Sequence, residues 1–374
     1  MDRKYTAELE KIEEFLNKLL PAVSSFPWGN QVFPAMELKP DTAENLLAPG
    51  RDLFSRGGKR WRPLLAHLVC QALGGGEEVL PLLPLVEFTH NASLIHDDLE
   101  DNSEERRGKP AIHVLYGSDT AINSGSFLYF LPLVVLENWE ADSENKNRLW
   151  KLWAEHVRFL HLGQSMDIAW HREKSYIPSL EDYMLMCRLK TGSLARFAAL
   201  LGVEAARFSH KKAGRGNVDP NAGNYDMLIR TLGEAAQNLG VGFQILDDVK
   251  NLSTGVPGKK RGDDVVEGKK SLPVLLFLLS QDTQKPLSGE VDRETREDFV
   301  QRCFKAAGDG GTNVPEIEEF IVKLTESGAL DEAEKKGKAL IAEAGTVFSV
   351  FKTVESKAGS LLSGLTEMLL YGGS

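Results

Sequence analysis

The sequence predicts an all-α fold, a single large helical bundle. Apolar residues recur at helical spacing along almost the whole chain. Glycine and proline clusters separate these stretches, and no sustained β-alternation with hairpin turns interrupts them. The chain has 374 residues, 42% of them hydrophobic and 26% charged, which is globular composition with length enough for a sizeable core.

Taken in order, Leu9, Ile12, Phe15, Leu16, Leu19 and Leu20 fall on one helical face. Segments 61–73, 82–99, 120–136, 149–169, 180–203, 225–252 and 271–279 read the same way. Gly74-Gly75-Gly76, Gly108-Lys109-Pro110 and the glycine-containing tracts 214–223 and 255–258 punctuate them. Segments 82–95 and 241–246 are apolar around most of their circumference, as expected of helices in the middle of a bundle. Surface loop insertions are expected near 209–223, 281–295 and 307–315. None divides the chain into halves of different composition, so 1–374 is read as one domain.

Lys plus Arg is 44 and Asp plus Glu is 54, a net charge of −10. That balance argues against nucleic acid or an anionic membrane as partner, while leaving room for a local basic pocket and an anionic small substrate. Cys70, Cys187 and Cys303 are scattered, with neither a disulfide framework nor a CxxC pair, and read as buried apolar residues. The N-terminus is rich in glutamate and has neither a signal-peptide core nor the acid-poor character of a transit peptide. The longest apolar runs, 127–136 and 272–279, are short for a bilayer. A cytoplasmic protein without stable membrane insertion is expected.

Two acidic clusters carry the chemistry. Asp97-Asp98-Leu99-Glu100-Asp101 ends an apolar helical run, and residues four apart lie on one helix face on adjacent turns. Like charges at a helix C-terminus are unfavourable, so a positive group should compensate them. Oxygen donors without Cys or His suit Mg²⁺, which shares its coordination sphere with water and substrate phosphates. Asp247-Asp248-Val249-Lys250-Asn251 follows the apolar stretch 240–246 and repeats the pattern, with an amide in the last place. Such a pair of facing sites would hold several divalent ions around one polyanion.

A diphosphate also needs cations. Lys59 and Arg62, three apart after Gly57-Gly58, open a helix whose N-terminus adds N–H donors. Arg106-Arg107 follows the first acidic cluster, and two adjacent guanidinium groups can address two phosphates. Lys190-Thr191-Gly192 and the stretch 258–263 are weaker signals singly and gain meaning from their order.

That order resembles the trans-type isoprenyl diphosphate synthases, the polyprenyl synthetase family. The matching pieces are GGKRWRP (57–63), EFTHNASLIHDDLED (87–101), RRGKP (106–110), GQSMD (163–167), LKTGSL (189–194), GFQILDDVKN (242–251) and GKKRGDDVVEGKKSLP (258–273). The resemblance implies an all-helical fold around a deep central cavity, usually in a homodimer. It implies Mg²⁺-dependent, head-to-tail condensation of an allylic diphosphate with isopentenyl diphosphate, with three ions once diphosphate is bound. Asp97, Asp101 and Asp247 correspond to metal ligands, with Asp98 and Asp248 in the same catalytic clusters. Arg106, Lys190, Thr191, Gln244 and Lys259 correspond to contacts with the allylic substrate, Phe243 and Gln244 to the family's FQ position. Lys59, Arg62, His90 and Arg107 correspond to the isopentenyl diphosphate site. His96 and His113 read as ordinary core residues. Asn251 and Ser126 depart from the family pattern, where aspartate is common.

In this family the residues upstream of the first acidic cluster set product length. Here Thr89, Ala92 and Ser93 are small, so the helix itself brings no aromatic block, and a product of geranylgeranyl length or longer is expected rather than farnesyl. Phe127, Tyr129 and Phe130 are candidates for a deeper floor. A class I terpene cyclase would carry Ser or Thr four residues after Asp247 and Glu eight after; Asn251 and Gly255 stand there instead. A non-catalytic regulatory subunit would be expected to lose acidic residues that both clusters keep.

Overall fold

The computed structural model describes residues 3–22, 25–34, 36, 39–173, 175–214, 225–255, 260–279, 294–353 and 357–371. Helices dominate them, as expected from the apolar spacing. The chain forms two compact units, each assembled from separated stretches: 1–158 with 193–237 and 343–374, and 159–192 with 238–342.

In the first unit, the Trp61–Ala72 helix is buried on nearly every side, as its all-round apolar sequence requires. The Ser193–Lys212 helix packs closely on it at Gly202, where a Cβ would stand 2.4 Å from the Ala66 carbonyl oxygen. The Thr6–Leu19 helix buries Ile12, Leu16 and Leu19, while the Tyr5 hydroxyl donates to the Leu361 carbonyl at 3.0 Å. The Pro84–Glu100 helix runs beside Ser118–Phe130, and Gly125 admits Ile95 and His96 at about Cβ contact distance.

The core of the second unit gathers Phe277, Phe299, Phe304 and Phe320, with ring centroids 5.6 to 6.1 Å apart. A reciprocal cap between Thr295 and Asp298 starts the Arg296–Gly310 helix. Gly242 and Gly337 allow their helices to approach until a Cβ on Gly242 would lie 2.6 Å from the Gly337 carbonyl oxygen. All three cysteines are buried thiols, and burial pushes Cys70 and Cys303 up to about 12.

Three expectations need correction or restriction. The stretch 307–315 is not a loop: the helix continues to Gly310, a single turn covers Gly311–Asn313, and the next helix starts at Pro315. Burial of Phe304 and Ala307 outweighs the helix cost of the glycines, of order 1 kcal/mol each, and Gly310 leaves room for Val314. Residues 209–212 are likewise helical, while 215–224 and 280–293 lie outside the described residues. The apolar run at 127–136 belongs to a longer helical stretch, Ser118–Asn138, because Pro132 enters a 3₁₀ turn without ending the run. Within its 21 residues the most apolar 18-residue window has mean hydropathy 1.3, long and apolar enough to cross a membrane, but 56% of that window is buried inside the protein, as in a core helix.

Candidate active site

The first acidic cluster is fixed by how its helix ends. The Asp101 N–H donates to the Asp97 carbonyl at 2.9 Å, placing the two residues on successive turns of one face. Asn102 then turns left-handed, with φ of 53°. The Ser103 N–H reaches back to the Asp98 carbonyl at 2.8 Å, and the Asn102 N–H to Leu99 at 3.4 Å, closing the helix with a Schellman arrangement.

The compensating charge is Arg106. Its Nε donates to Asp98 at 2.7 Å, a second nitrogen also holds Asp98, and the same guanidinium lies 3.4 Å from Asp97. Asp98 is fully buried, whereas Asp97 is partly open. Asp98 therefore aligns Arg106, and Asp97 is the more open carboxylate, whereas both carboxylate oxygens of Asp101 are buried.

Arg106 and Arg107 sit on a minimal hairpin, Glu105–Arg106 paired with Lys109–Pro110, which helical periodicity did not reveal. Arg107 and Gly108 form its tip with φ of 55° and 71°, as a primed turn requires. The Arg56 guanidinium donates to the carbonyls of Arg106 and Pro110, both at 2.9 Å, and is held by Asp52 at 2.8 Å. The two adjacent arginines diverge: Arg107 donates to the carbonyls of Leu53, at 3.0 Å, and Gly57. Burial and the charges of Arg60, Arg106 and Arg56 pull Arg107 down to about 10.

Lys59 is exposed on the turn that leads into the Trp61–Ala72 helix. Arg62 lies over the Trp61 ring at 4.4 Å, with Nη1 3.4 Å from His90 Nε2. Burial, then the charges of Arg62, Arg107, Arg60 and Arg106, hold His90 well below its ordinary pKa. A neutral ring with Nε2 accepting from Arg62 carries its proton on Nδ1. Lys59, Arg62, His90 and Arg107 thus belong to the same unit as Asp97, Asp98, Asp101 and Arg106.

Two residues inside these motifs had no role assigned from the sequence. Arg60 adopts φ of 46° and is held by Glu13 at 2.7 Å, Glu87 at 2.8 Å and the Phe54 carbonyl at 3.0 Å. Glu87 takes a further bond from Asn91 at 3.1 Å. Arg60 ties the cationic turn to the acidic helix from inside, a role whose partner could not be read from GGKRWRP alone.

In the second unit, Lys190 and Thr191 lie on a π-helical turn, Arg188–Gly192. A Cβ on Gly163 would stand 2.3 Å from the Lys190 backbone nitrogen, so glycine is required where the Ser143–Arg172 helix passes this turn. Lys190 Nζ donates to Asp167 at 2.6 Å, giving the last residue of GQSMD a role that its sequence context did not reveal. Thr191 donates to the Gln244 amide oxygen at 2.9 Å, and the Gln244 amide nitrogen donates to Asp248 at 2.7 Å. The fully buried Tyr183 hydroxyl also donates to Asp248 at 3.0 Å. Burial, followed by the Asp264 charge, pushes Asp248 up to about 8. Phe243 and Asp247 are partly buried on the same helix, Tyr225–Asn251.

Asn251 explains itself. It is buried, and its amide oxygen accepts the Asp264 N–H at 3.3 Å, so it anchors the Asp263–Glu267 helix. Ser126 lies 3.5 Å from His96 Nε2. Lys259 lies outside the described residues.

The chain-length residues are less open than expected. Thr89 and Ala92 are fully buried and Ser93 partly so, with its hydroxyl donating to the His90 carbonyl. Phe130 is 62% exposed, Phe127 stacks on Phe33 and Tyr129 stacks on His96.

Asp97 and Asp101 in the first unit, and Asp247 in the second, each offer only hard carboxylate oxygens, the donor type that suits magnesium. Among the described residues no three His, Cys, Asp or Glu side chains converge as a cage.

The profile of the family described as polyprenyl synthetase matches residues 43–307. The chain belongs to this family. It is a trans-prenyltransferase. It is 29% identical over 343 residues to a geranylfarnesyl diphosphate synthase of Aeropyrum pernix, covering 90% of this chain and 96% of that one. A geranylgeranyl pyrophosphate synthase of Geoglobus acetivorans is 31% identical over 306 residues, 81% and 84% of the two chains. Among solved structures, geranylgeranyl pyrophosphate synthetase from Pyrococcus horikoshii superposes with a TM-score of 0.75 at 27% identity, covering 98% of this chain and 97% of that one.

Proposed function

We propose that this polyprenyl synthetase joins isopentenyl diphosphate to an allylic diphosphate, head to tail, and makes a product of geranylgeranyl length or longer. The observation that carries the reading is the buried Asp98–Arg106 pair, which presents Asp97 and Asp101 in the same unit as Lys59, Arg62, His90 and Arg107. The relatives named for geranylgeranyl and geranylfarnesyl products support the length.

Arg106 and Lys190 stabilise negative charge as the allylic C–O bond ionises, because fixed cations at the departing diphosphate favour the transition state over the ground state. Thr191 and Gln244 hold the allylic group, with Asp248 orienting Gln244 from below. Lys59, Arg62 and Arg107 bind the second diphosphate, and His90, uncharged, adds a hydrogen-bonding group without adding to the charge. The cation formed adds to the double bond of isopentenyl diphosphate, and loss of a proton to the released diphosphate completes the transfer. No covalent nucleophile takes part.

Asp97, Asp101 and Asp247 would hold Mg²⁺, which supplies Lewis-acid stabilisation of the diphosphate oxygens. We further propose three ions with diphosphate bound, to be counted by titration with Mn²⁺. A homodimer is supported by Val114, Leu115, Ile122, Phe130 and Trp150, large apolar side chains each at least 47% exposed in the first unit. Sedimentation of the wild type beside Phe130→Arg tests it, and a monomeric wild type would refute it.

The decisive assay incubates the protein with Mg²⁺, labelled isopentenyl diphosphate and dimethylallyl, geranyl or farnesyl diphosphate in turn, and sizes the products. Products that stop at farnesyl would overturn the length. Asp97→Ala should abolish turnover, and retained activity would refute its ligand role.

A further inference from the structure

The small residues at 89, 92 and 93 open a channel only if nothing else fills the space they leave. Thr89 and Ala92 are both 0% exposed, so no water-sized gap borders either. Part of the filling at Thr89 comes from Trp153, on the Ser143–Arg172 helix, itself only 5% exposed. Its indole Nε1–H donates to Thr89 Oγ1 at 3.1 Å. The threonine hydroxyl spends its own proton on the Leu85 carbonyl at 2.8 Å, so its lone pairs face outward and the indole is held by a directional bond. Phe130 and Trp150 flank the ring, with centroids 6.5 and 5.6 Å away. All these residues belong to the first unit, with Asp97 eight positions further along the acidic helix, about 12 Å along its axis.

We infer that Trp153 is the specificity-determining floor for the growing chain: an aromatic block, absent from the acidic helix itself, is supplied by a neighbouring helix and latched to Thr89. This rests on the proposed prenyl transfer. A growing apolar chain running back from Asp97 along this helix meets the indole at Thr89, and elongation stops when further units would have to displace it. The ring of Phe130 supports Trp153 from outside, with centroids 6.5 Å apart.

The test is the product distribution of Trp153→Ala, Trp153→Leu and Trp153→Phe with labelled isopentenyl diphosphate in excess. Trp153→Ala and Trp153→Leu should raise the ratio of longer products to the wild-type product about tenfold, whereas Trp153→Phe, which keeps a ring in place, should change it less than about threefold. A purely structural tryptophan would lower total turnover and leave the ratio alone. Should the alanine variant fail to fold, the leucine variant decides. An unchanged ratio in the folded variant lacking the ring overturns the inference, as does a phenylalanine variant that lengthens products as much as leucine does. A wild type that elongates no allylic starter would instead condemn the proposed function.

Discussion

Gly163→Ala tests whether the π-turn positions Lys190 for chemistry. The added Cβ would lie 2.3 Å from the Lys190 backbone nitrogen and 2.8 Å from both the Leu189 carbonyl carbon and the Lys190 Cα. Ordinary contact begins near 3.5 Å, so the turn or the passing helix must move by roughly 1 Å. All three obstructing atoms are backbone, which no rotamer change can relieve. Overpacking of this kind costs about 1–3 kcal/mol of stability. The larger effect should fall on catalysis, because the turn carries both the Lys190–Asp167 pair and the Thr191–Gln244 bond. A displacement near 1 Å at such a site costs on the order of 100-fold in rate. Steady-state kinetics should therefore show kcat/KM for the allylic substrate falling about 100-fold, with a modest loss in Tm. Gly202→Ala is the control: its Cβ would meet the Ala66 carbonyl at 2.4 Å, in the other unit, so it should lower Tm while the folded enzyme keeps most of its kcat. Wild-type kinetics in Gly163→Ala, or equal kinetic losses in both variants, would refute the reasoning.

Other perturbations follow from the same contacts. Arg60→Ala strands the Glu87 carboxylate, whose side chain is 3% exposed, and should cost about 3–5 kcal/mol in denaturant unfolding; Lys11→Ala, at the exposed pair with Glu77, should cost less than about 1 kcal/mol. Tyr183→Phe removes a buried donor to Asp248 and should lower stability by about 1–3 kcal/mol, with reduced kcat as the readout of Gln244 positioning. Burial lowers the pKa of His67, so the unfolded chain binds its proton first, and its contribution to stability is lost as pH falls below about 6.5. Glu8, which bonds His67 at 3.0 Å, is also lowered, so its contribution is lost further into acid. Thermal melts between pH 7 and 5 should show a shallower acid loss in His67→Gln than in the wild type, and parallel curves would count against the assignment.

The residues proposed to act on diphosphate stand out in the sequence because their types and spacings are local. Asp97 and Asp101 share a face by helix geometry alone, and the need for a compensating cation beside them was visible before Arg106 was seen to fill it. The left-handed turn at Asn102 that ends this helix was not read from the sequence, although asparagine tolerates that conformation. What could not be read was pairing across distance. Trp153 and Thr89 are 64 residues apart, and Arg60 and Glu87 27 apart; nothing in either local sequence names the partner. Glycine misled in one place and went unassigned in another for one reason. At 310 it was read as a loop, whereas it admits Val314 beside a continuing helix; at 163 it stood in a quoted motif without a role, whereas it admits the backbone of a functional turn. A glycine's meaning depends on what approaches it, and that is a property of the packed molecule.

The same distinction separates neighbours within a single motif. In Lys59-Arg60-Trp61-Arg62, three side chains carry cationic charge at similar spacing, yet their surroundings give them opposite tasks. Lys59 is exposed, Arg62 leans on a tryptophan toward neutral His90, and Arg60 is sealed between two glutamates. An anionic substrate gains little from a guanidinium already neutralised by Glu13 and Glu87. Its work is done through the backbone: by holding φ at 46° it starts the helix where Lys59 and Arg62 are presented. Arg60→Lys, which keeps the charge but loses the forked geometry, should therefore disturb stability more than it disturbs the ionic-strength dependence of substrate binding.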